Sequence, residues 1–371
     1  MPSYHCAQKG NTKKSTHNGR MDGGRLLGKG VYGCAFTPTL YCAGQKYVKE
    51  GKVGKISQIS DDVKNEIKIA TSIRTIEHYS NYYIVAEEAC QVAPKAQQKD
   101  PDRDKCDMWK EKGHASWVQL TMPLGGRPLY ATPINAQHIQ LWRLGNHLLE
   151  AATLLLIKGI VHYDLHMNNI LVDSPTKARI IDFGLSWNIN SLTSDFTSSL
   201  VRKWDPSFIH QVPEQALMNG ILDSRIRKGN PNIPHIVTQI IKQNKIFEMI
   251  EKYLHITRSQ SYNVLTQFVE SSNAVKKEDY TAMFRYYWNK IDSWAIGCAL
   301  LICYSQLIMD SSYAKSEEYS VHNNVMVNTM RKMLNPDPAM RYDAAQALSS
   351  WNPSSPVLQQ KEVKAWLSRV Q

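Results

Sequence analysis

The chain of 371 residues lacks several patterns that mark specialised protein classes. Its longest apolar run, Trp294 to Met309, contains Ser305 and Gln306 and is shorter than the roughly 20 residues that a membrane-spanning helix needs. No basic stretch is interleaved with aromatic residues, so nucleic-acid binding is not indicated. No internal repeat is visible. We therefore expect a globular protein in which this run is a buried helix rather than a transmembrane segment.

Signals for disulfide or zinc chemistry are also scarce. The seven cysteines are an odd number, form no C-x-x-C pair and follow no signal-peptide pattern. These features predict reduced thiols in an intracellular protein and argue against a zinc site.

The composition that is present suits a large globular protein. A hydrophobic content of 43% is enough to bury the core of one large or two moderate lobes. The formal net charge of +11 would attract an acidic partner, whether nucleic acid, an anionic membrane surface, a nucleotide or an acidic peptide, and charge alone does not choose among them. Residues 1–20 are polar, basic and nearly free of large apolar residues, which predicts a disordered tail.

Two regions of different character follow this tail. Residues 21–124 combine glycine-punctuated β-type segments with one helix, which contains Glu66. Residues 125–371 are mainly helical, beginning with an apolar-faced helix over 136–158, and carry an additional helical segment at about 215–285. The pattern predicts an α+β chain with a small antiparallel β lobe, one key helix, and a larger, mainly helical lobe.

A glycine-rich segment lies near the start of the β region. Its sequence, Gly28-Lys29-Gly30-Val31-Tyr32-Gly33, follows G-x-G-x-x-G and continues as a strand. Glycines let the backbone approach phosphates closely, and the continuing strand separates this motif from the dinucleotide fingerprint, which opens a helix. By itself the motif is weak, because a plain glycine turn has the same pattern.

The strongest chemical pattern lies between Ile160 and Val172, where apolar runs flank a polar core. Asp164 and Asn169 are five residues apart, and Asp182 follows thirteen residues later at the start of an Asp-Phe-Gly tripeptide. A carboxylate can orient a substrate hydroxyl and accept its proton, while carboxylate and amide oxygens can hold Mg²⁺. The spacing indicates a centre for phosphoryl transfer.

Three later segments extend this pattern: Val212-Pro213-Glu214, Asp292-Ser293-Trp294-Ala295-Ile296-Gly297 and Asp337-Pro338-Ala339-Met340-Arg341. With the earlier motifs, they resemble the protein-kinase superfamily over roughly Leu26 to Leu348. The resemblance implies the two-lobe protein-kinase fold. It also implies an ion pair between Glu214 and Arg341.

The resemblance implies a role for each candidate site residue. The glycine-rich segment, including Lys29 and Val31, would cover the phosphates of ATP. Asp164 would be the catalytic base, and Asn169 with Asp182 would hold Mg²⁺. His166 stands where serine/threonine kinases have a lysine that steadies the transferring phosphate, and an imidazole could serve there when protonated or by hydrogen bonding.

Two lysines compete for the position that holds the α- and β-phosphates. Lys55 lies two residues after Val53, so the two side chains share a strand face and Val53 would roof the adenine. Lys49 would place the bulkier Tyr47 there instead. The sequence favours Lys55, with Glu66 as its partner, and leaves Lys49 as the alternative.

The adenine contact is expected where the last β segment of the small lobe ends. Pro123 lies where a backbone N–H usually meets the adenine, and proline has no N–H to donate. The contact then falls to Met122 and Leu124, unless the register differs by one or two residues.

Tyr163 also departs from the pattern, because many kinases have an arginine there that receives an activation-loop phosphate. Without that cation, we expect activity that does not require such phosphorylation. Within the superfamily, the Gly-Val-Tyr-Gly-Cys-Ala-Phe and Asp-Leu-His-Met-Asn-Asn segments resemble the serine/threonine kinases of large cytoplasmic DNA viruses, including poxvirus-like and iridovirus-like forms. That narrower resemblance implies a location in the host cytoplasm or the virion.

The favoured hypothesis is a serine/threonine protein kinase that uses ATP and Mg²⁺ and acts on protein hydroxyls. A small-molecule kinase similar to aminoglycoside or choline kinases is an alternative, because the Asp-Leu-His-x-x-Asn pattern also occurs there. A pseudokinase that acts as a binding module is the third. The motifs at Glu214, Asp292 and Arg341 favour a protein substrate, and nothing in the sequence indicates an oligomeric state.

Overall fold

The computed structural model describes residues 24–30, 33–45, 47–94, 98, 102, 105–107 and 117–370. The predicted disordered tail and Val31 lie outside these residues. The chain divides into two compact units, of which the first comprises Met1–Thr71 with Ile84–Gly125 and the second comprises Ser72–Tyr83 with Gly126–Gln371. Within the described part of the chain, no helix combines the length and apolarity needed to span a bilayer.

The first unit is built on a five-stranded antiparallel sheet. Its strands are β1 (Arg25–Lys29), β2 (Gly33–Thr37), β3 (Lys52–Gln58), β4 (Glu88–Gln91) and β5 (Trp117–Pro123), in the order β1-β2-β3-β5-β4. Helix α1 (Asp61–Ile73) follows β3, and Ser60 Oγ caps it by accepting the Val63 N–H. A buried apolar cluster contains Cys34, Phe36, Leu40, Ile56, Val92, Cys106 and Trp117.

Two disulfides cross-link the first unit. They join Cys34 to Cys106 and Cys42 to Cys90, with Cα atoms 6.1 Å and 5.9 Å apart. The expectation of reduced thiols is therefore wrong for these four cysteines. Counting cysteines and their spacing along the chain missed the pairs, because folding brings together partners that are 72 and 48 residues apart.

The second unit is mainly helical, with short strands at one end. The strands are β6 (Arg127–Pro128), β7 (Ile160–Val161), β8 (Ile170–Ser174), β9 (Lys177–Ile180) and β10 (Trp187–Asn188). The helices are α2 (Leu141–Ile157), α3 (Ser194–Leu200), α4 (Pro213–Lys228), α5 (Ile233–Gln243), α6 (Lys245–Leu254), α7 (Arg258–Ser271), α8 (Asn273–Lys276), α9 (Tyr280–Tyr287), α10 (Ile291–Leu307), α11 (Ser311–Ala314), α12 (Glu317–Met333), α13 (Ala344–Trp351) and α14 (Lys361–Val370). The predicted α+β class, with its small antiparallel β lobe and larger helical lobe, is confirmed.

Helix α10 is the buried centre of the second unit. Thirteen of its 17 residues are buried, including Cys298 and Cys303, which form no disulfide, and it packs against α2, α6 and α12. This confirms the prediction that the longest apolar run is a buried helix. A helix surrounded in this way is rigid, and it can therefore hold a loop that binds to its first turn.

Helix α2 begins later than the apolar pattern predicts, at Leu141 rather than at residue 136. The reason is local. The Asn135 side chain accepts the N–H groups of Gln137 and His138, and such side-chain hydrogen bonds favour a turn over a helix.

The segment at about 215–285, expected to be helical, spans most of α4 and continues through α5 to α9. Helix α5 packs against α4 and α7, while α6 packs against α10 and α12. Helix α9 packs against α3. These helices are therefore part of the core of the second unit rather than an appendage to it.

Replacing Cys34 and Cys106 together with alanine should destabilise the first unit. The bridge closes a loop with a sequence separation of 72, for which restriction of the unfolded chain is worth about 4 kcal/mol at most. Thermal melts followed by circular dichroism would measure the loss. Peptide mapping without reductant should recover both cross-linked pairs, and free thiols at all four positions would contradict the assignment.

Candidate active site

The loop that follows β7 is fixed by a carboxylate on helix α10. Asp292 accepts the backbone N–H of His162 at 2.7 Å and that of Tyr163 at 3.1 Å. Tyr163 has a φ of 69°, a left-handed conformation that is rare for a bulky residue. Burial raises the pKa of Asp292, while the charge of His162 and the two N–H donors oppose that rise. The loop conformation is thus imposed by a residue 130 positions away in the chain.

Asp164 lies in this loop between two donors. Its Oδ1 is 3.2 Å from Arg202 Nη1, and its Oδ2 is 3.6 Å from His166 Nε2. Burial by itself would raise the pKa of Asp164, but the His166 hydrogen bond and the charge of Arg202 outweigh it and lower the pKa to about 2. Asp164 is therefore a carboxylate at neutral pH, and 24% of its side chain is exposed.

The ring of His166 lies among three polar groups. Its Nδ1 accepts the N–H of Asn168 at 3.2 Å. Its Nε2 lies 3.6 Å from Asp164 Oδ2 and 3.4 Å from Asn169 Nδ2. His166 therefore packs against both Asp164 and Asn169.

Asn169 and Asp182 carry oxygen atoms suited to a magnesium ion. Asn169 Nδ2 donates to the Asp164 carbonyl oxygen at 2.8 Å, which leaves Asn169 Oδ1 as the atom available to a metal. Ile181, next to Asp182, donates its N–H to the Asn169 carbonyl oxygen at 3.0 Å and so ties the two segments together. Mg²⁺ is usually held by one or two such ligands together with water and phosphate oxygens. The residues present fit this ion.

In the first unit, the structure pairs Lys55 with Glu66. Lys55 Nζ lies 2.9 Å from both carboxylate oxygens, and the two side chains are only 18% and 8% exposed. Lys49, the alternative, instead forms an ion pair with the exposed Glu88. Val53 is buried on β3 opposite Met122 of β5.

The described residues of the glycine-rich segment lie at the end of β1 and the start of β2. The Gly30 N–H donates to the Gly33 carbonyl oxygen at 2.8 Å. A Cβ atom at Gly33 would come within 2.0 Å of the Ile56 carbonyl oxygen, so β3 can approach only because this residue is glycine. Gly28 lies in β1, and Lys29 Nζ pairs with Asp107 Oδ2 at 3.1 Å.

One of the two positions expected to contact adenine already has a partner. The Leu124 N–H donates to the Gly51 carbonyl oxygen at 3.2 Å within the first unit. Met122 lies in β5 and pairs in register with Val53 of β3.

The predicted ion pair between Glu214 and Arg341 is confirmed. Two parallel bonds of 2.9 Å join the guanidinium to the carboxylate, and both side chains are fully buried or nearly so. Arg341 also stacks over the Trp294 ring, with Cζ 4.8 Å from its centroid. This pair holds together the start of α4, helix α10 and the segment before α13.

Comparison with known families agrees with this geometry. Residues 22–204 match the family described as the protein kinase domain. The match covers just under half of the chain, and it shows that these residues resemble a protein kinase domain. The small β-rich lobe and larger helical lobe of the chain are those of the kinase fold.

A curated protein similar to this chain is the CTD kinase subunit alpha of Schizosaccharomyces pombe (strain 972). The two are 24% identical over 164 residues, which cover 42% of this chain. The aligned part amounts to 27% of the yeast protein, so the chain spans about a quarter of that relative. The likeness therefore concerns only part of each chain.

The kinase domain also contains a site residue that the motifs did not reveal. Arg202 contacts Asp164 from the stretch between Asp182 and Glu214, here called the activation segment. A usable signal was present in the sequence, because Arg202 and Lys203 are the only lysine or arginine residues between those two acidic residues. It was missed because no motif fixes the spacing between Arg202 and residues 162–169, here called the catalytic loop because they include the candidate base Asp164.

Replacing Arg341 with methionine should destabilise the second unit by about 3–5 kcal/mol, because it leaves the Glu214 carboxylate buried without its ion-pair partner. Chemical denaturation would measure the change in the free energy of unfolding. The double variant Glu214→Leu with Arg341→Met should recover part of the loss. As a matched control, Arg258→Met removes a half-exposed pair with Glu251 and should change stability little. Equal losses in both single variants would contradict the argument.

Proposed function

We propose that this chain is a serine/threonine protein kinase that transfers the γ-phosphoryl group of ATP to protein hydroxyls, with Mg²⁺ as its cofactor. The observation that carries the proposal is the Asp164 cluster. In it, the Asn169 amide is bonded to the carbonyl oxygen of Asp164, whose carboxyl is ionised, and the Ile181 N–H ties the neighbouring Asp182 to Asn169. A protein kinase domain implies the use of ATP with a divalent metal and implies protein substrates.

In the proposed mechanism, Asp164 orients the substrate hydroxyl. The hydroxyl oxygen attacks the γ-phosphorus as the bond to the departing ADP breaks, and the hydroxyl proton passes to Asp164. A carboxyl with a pKa of about 2 is a weak base, so Asp164 would act first by orientation and accept the proton late, as the new bond forms. His166 Nε2 would limit the rotation of this carboxylate.

The other site residues would handle the nucleotide. Asn169 and Asp182 would hold Mg²⁺, which neutralises charge on the phosphate oxygens. Lys55, kept in place by Glu66, would contact the α- and β-phosphates, and the glycine-rich segment would cover them. The buried position of the Lys55 and Glu66 pair supports this choice over Lys49, whose partner Glu88 is 60% exposed.

A protein acceptor is favoured over a small molecule by the structure around Glu214. The Glu214 and Arg341 pair fixes the end of the activation segment to the helical core, and the resemblance to protein kinases associates this region with the binding of protein substrates. The proposal of serine or threonine as the acceptor rests on the Asp-Leu-His segment.

The direct test offers radiolabelled ATP with casein or a basic protein, and separately with aminoglycosides and with choline. We expect label on protein, and phosphoamino-acid analysis should find it on serine and threonine. Label on a small molecule alone would overturn the proposal. Label on tyrosine alone would overturn the stated specificity.

Asp164→Asn should lower kcat by about 10² to 10⁴-fold, because the variant can no longer accept the proton of the hydroxyl. Measurement of initial rates with saturating ATP would show the loss. An unchanged rate would indicate a contaminating kinase.

A matched pair of variants tests the phosphate-binding lysine. Lys55→Met should lower kcat by roughly 10² to 10³-fold, because a fixed charge beside the phosphates is lost. Lys49→Met removes a lysine that is also ion-paired in the same unit and should leave the rate nearly unchanged. Reversed results would assign the role to Lys49.

Treatment with a protein phosphatase should leave the activity in place. Tyr163 has no charge with which to receive an activation-segment phosphate, and it already holds that segment by a hydrogen bond from its hydroxyl to the Leu200 carbonyl oxygen. Turnover before and after treatment, with mass spectrometry to confirm removal of phosphate, is the measurement. Complete loss of turnover would contradict the expectation.

A further inference from the structure

Asp164 receives its positive neighbour from the activation segment rather than from its own loop. We propose that Arg202 is a positioning residue that fixes the Asp164 carboxylate and supplies the positive charge that the catalytic loop lacks. This inference rests on the proposed function, because it names a further residue required for the same reaction.

The geometry of the Arg202 side chain fits this role. Nη1 lies 3.2 Å from Asp164 Oδ1, and Nη2 donates to the Tyr163 carbonyl oxygen at 3.0 Å. One planar guanidinium thus binds two consecutive residues of the loop, which the single ammonium group of a lysine does less well. Its Cζ lies 4.5 Å from the centroid of the Tyr163 ring, a cation–π contact, and the side chain is only 14% exposed.

The loop needs this charge because its own residues do not provide it. Residues 160–172 contain no lysine or arginine, and Tyr163 is a phenol. Burial raises the pKa of Tyr163, so its hydroxyl keeps its proton. Among the lysine and arginine side chains that the structure describes, Arg202 is the one that pairs with the Asp164 carboxylate.

Arg202 leaves room for a substrate. It contacts Oδ1 of Asp164 and not Oδ2, and 24% of the Asp164 side chain is exposed. A blocking arginine would be expected to bind both oxygens side by side, as Arg341 does with Glu214. The one-oxygen contact favours orientation of the carboxylate over inhibition.

The backbone around Arg202 is held by neutral contacts. The Tyr163 hydroxyl donates to the Leu200 carbonyl oxygen at 2.5 Å and accepts a hydrogen bond from Gln215 Nε2 on α4. The ring centroid of Phe284 on α9 lies 6.0 Å from that of Tyr163. The helical segment at about 215–285 therefore also packs against Tyr163. The segment that carries Arg202 is thereby placed without a phosphate group.

The test compares Arg202→Met and Arg202→Lys with wild type, using a protein substrate and steady-state kinetics. We expect Arg202→Met to lower kcat by about 10²-fold, because a misplaced catalytic group costs that much, while the KM for ATP changes little. Arg202→Lys should restore part of kcat. Added guanidinium ion should also raise the rate of Arg202→Met and not that of wild type. Lys203→Met, next in the chain and exposed, is the matched control and should behave as wild type.

The outcomes separate the two levels of the proposal. A wild-type chain that phosphorylates no protein would overturn the proposed function. An active wild type whose rate is unchanged or raised by Arg202→Met would overturn the role of Arg202 alone, and a raised rate would identify it as a block. If Arg202→Met does not fold, the test uses Arg202→Lys and Tyr163→Phe instead. Each of these variants should have a lower kcat than wild type and an unchanged KM for ATP. Wild-type values of kcat in both variants would also overturn the role of Arg202.

Discussion

The candidate site depends on one buried carboxylate. Asp292, in the first turn of α10, accepts the N–H groups of His162 and Tyr163 and thereby holds the catalytic loop in a conformation that includes a left-handed tyrosine. Because most residues of α10 are buried, the loop is attached to a rigid part of the core. The directions of Asp164 and Asn169 follow from this attachment, since both lie within a few residues of the bonds to Asp292.

A second constraint is the supply of charge around Asp164. The loop that carries Asp164 has a tyrosine and a histidine at the two positions where the resemblance to protein kinases implies an arginine and a lysine. Arg202 comes to the same carboxylate from the activation segment, and Tyr163 holds that segment through its ring and its hydroxyl. The helices between α4 and α10 support the same region through Phe284. The residues at which this chain departs from the family pattern, Tyr163 and His166, therefore lie in one group of contacts around Asp164 and Arg202.

Much of this could be predicted from the sequence, because the relevant signals are local. The spacing of Asp164, Asn169 and Asp182 and the late motif with Arg341 require only residues near one another or a family resemblance. Lys55 was favoured over Lys49 because strand residues two apart share a face. The start of α2 was wrong because the side chain of Asn135 stabilises a turn that apolar periodicity does not detect. The resemblance to viral kinases and the intracellular location remain predictions from the sequence.

The sequence by itself determined the class of fold and the two lobes, and it singled out the loop of Asp164 with its candidate metal-binding residues, since glycine spacing, apolar periodicity and short polar motifs act over a few residues. Only the tertiary structure decided that Arg202 meets Asp164 and that four cysteines form two bridges. These partners are 38, 48 and 72 positions apart. The physical reason is that a contact between distant segments depends on how sheets and helices pack, and neither spacing nor composition records that packing.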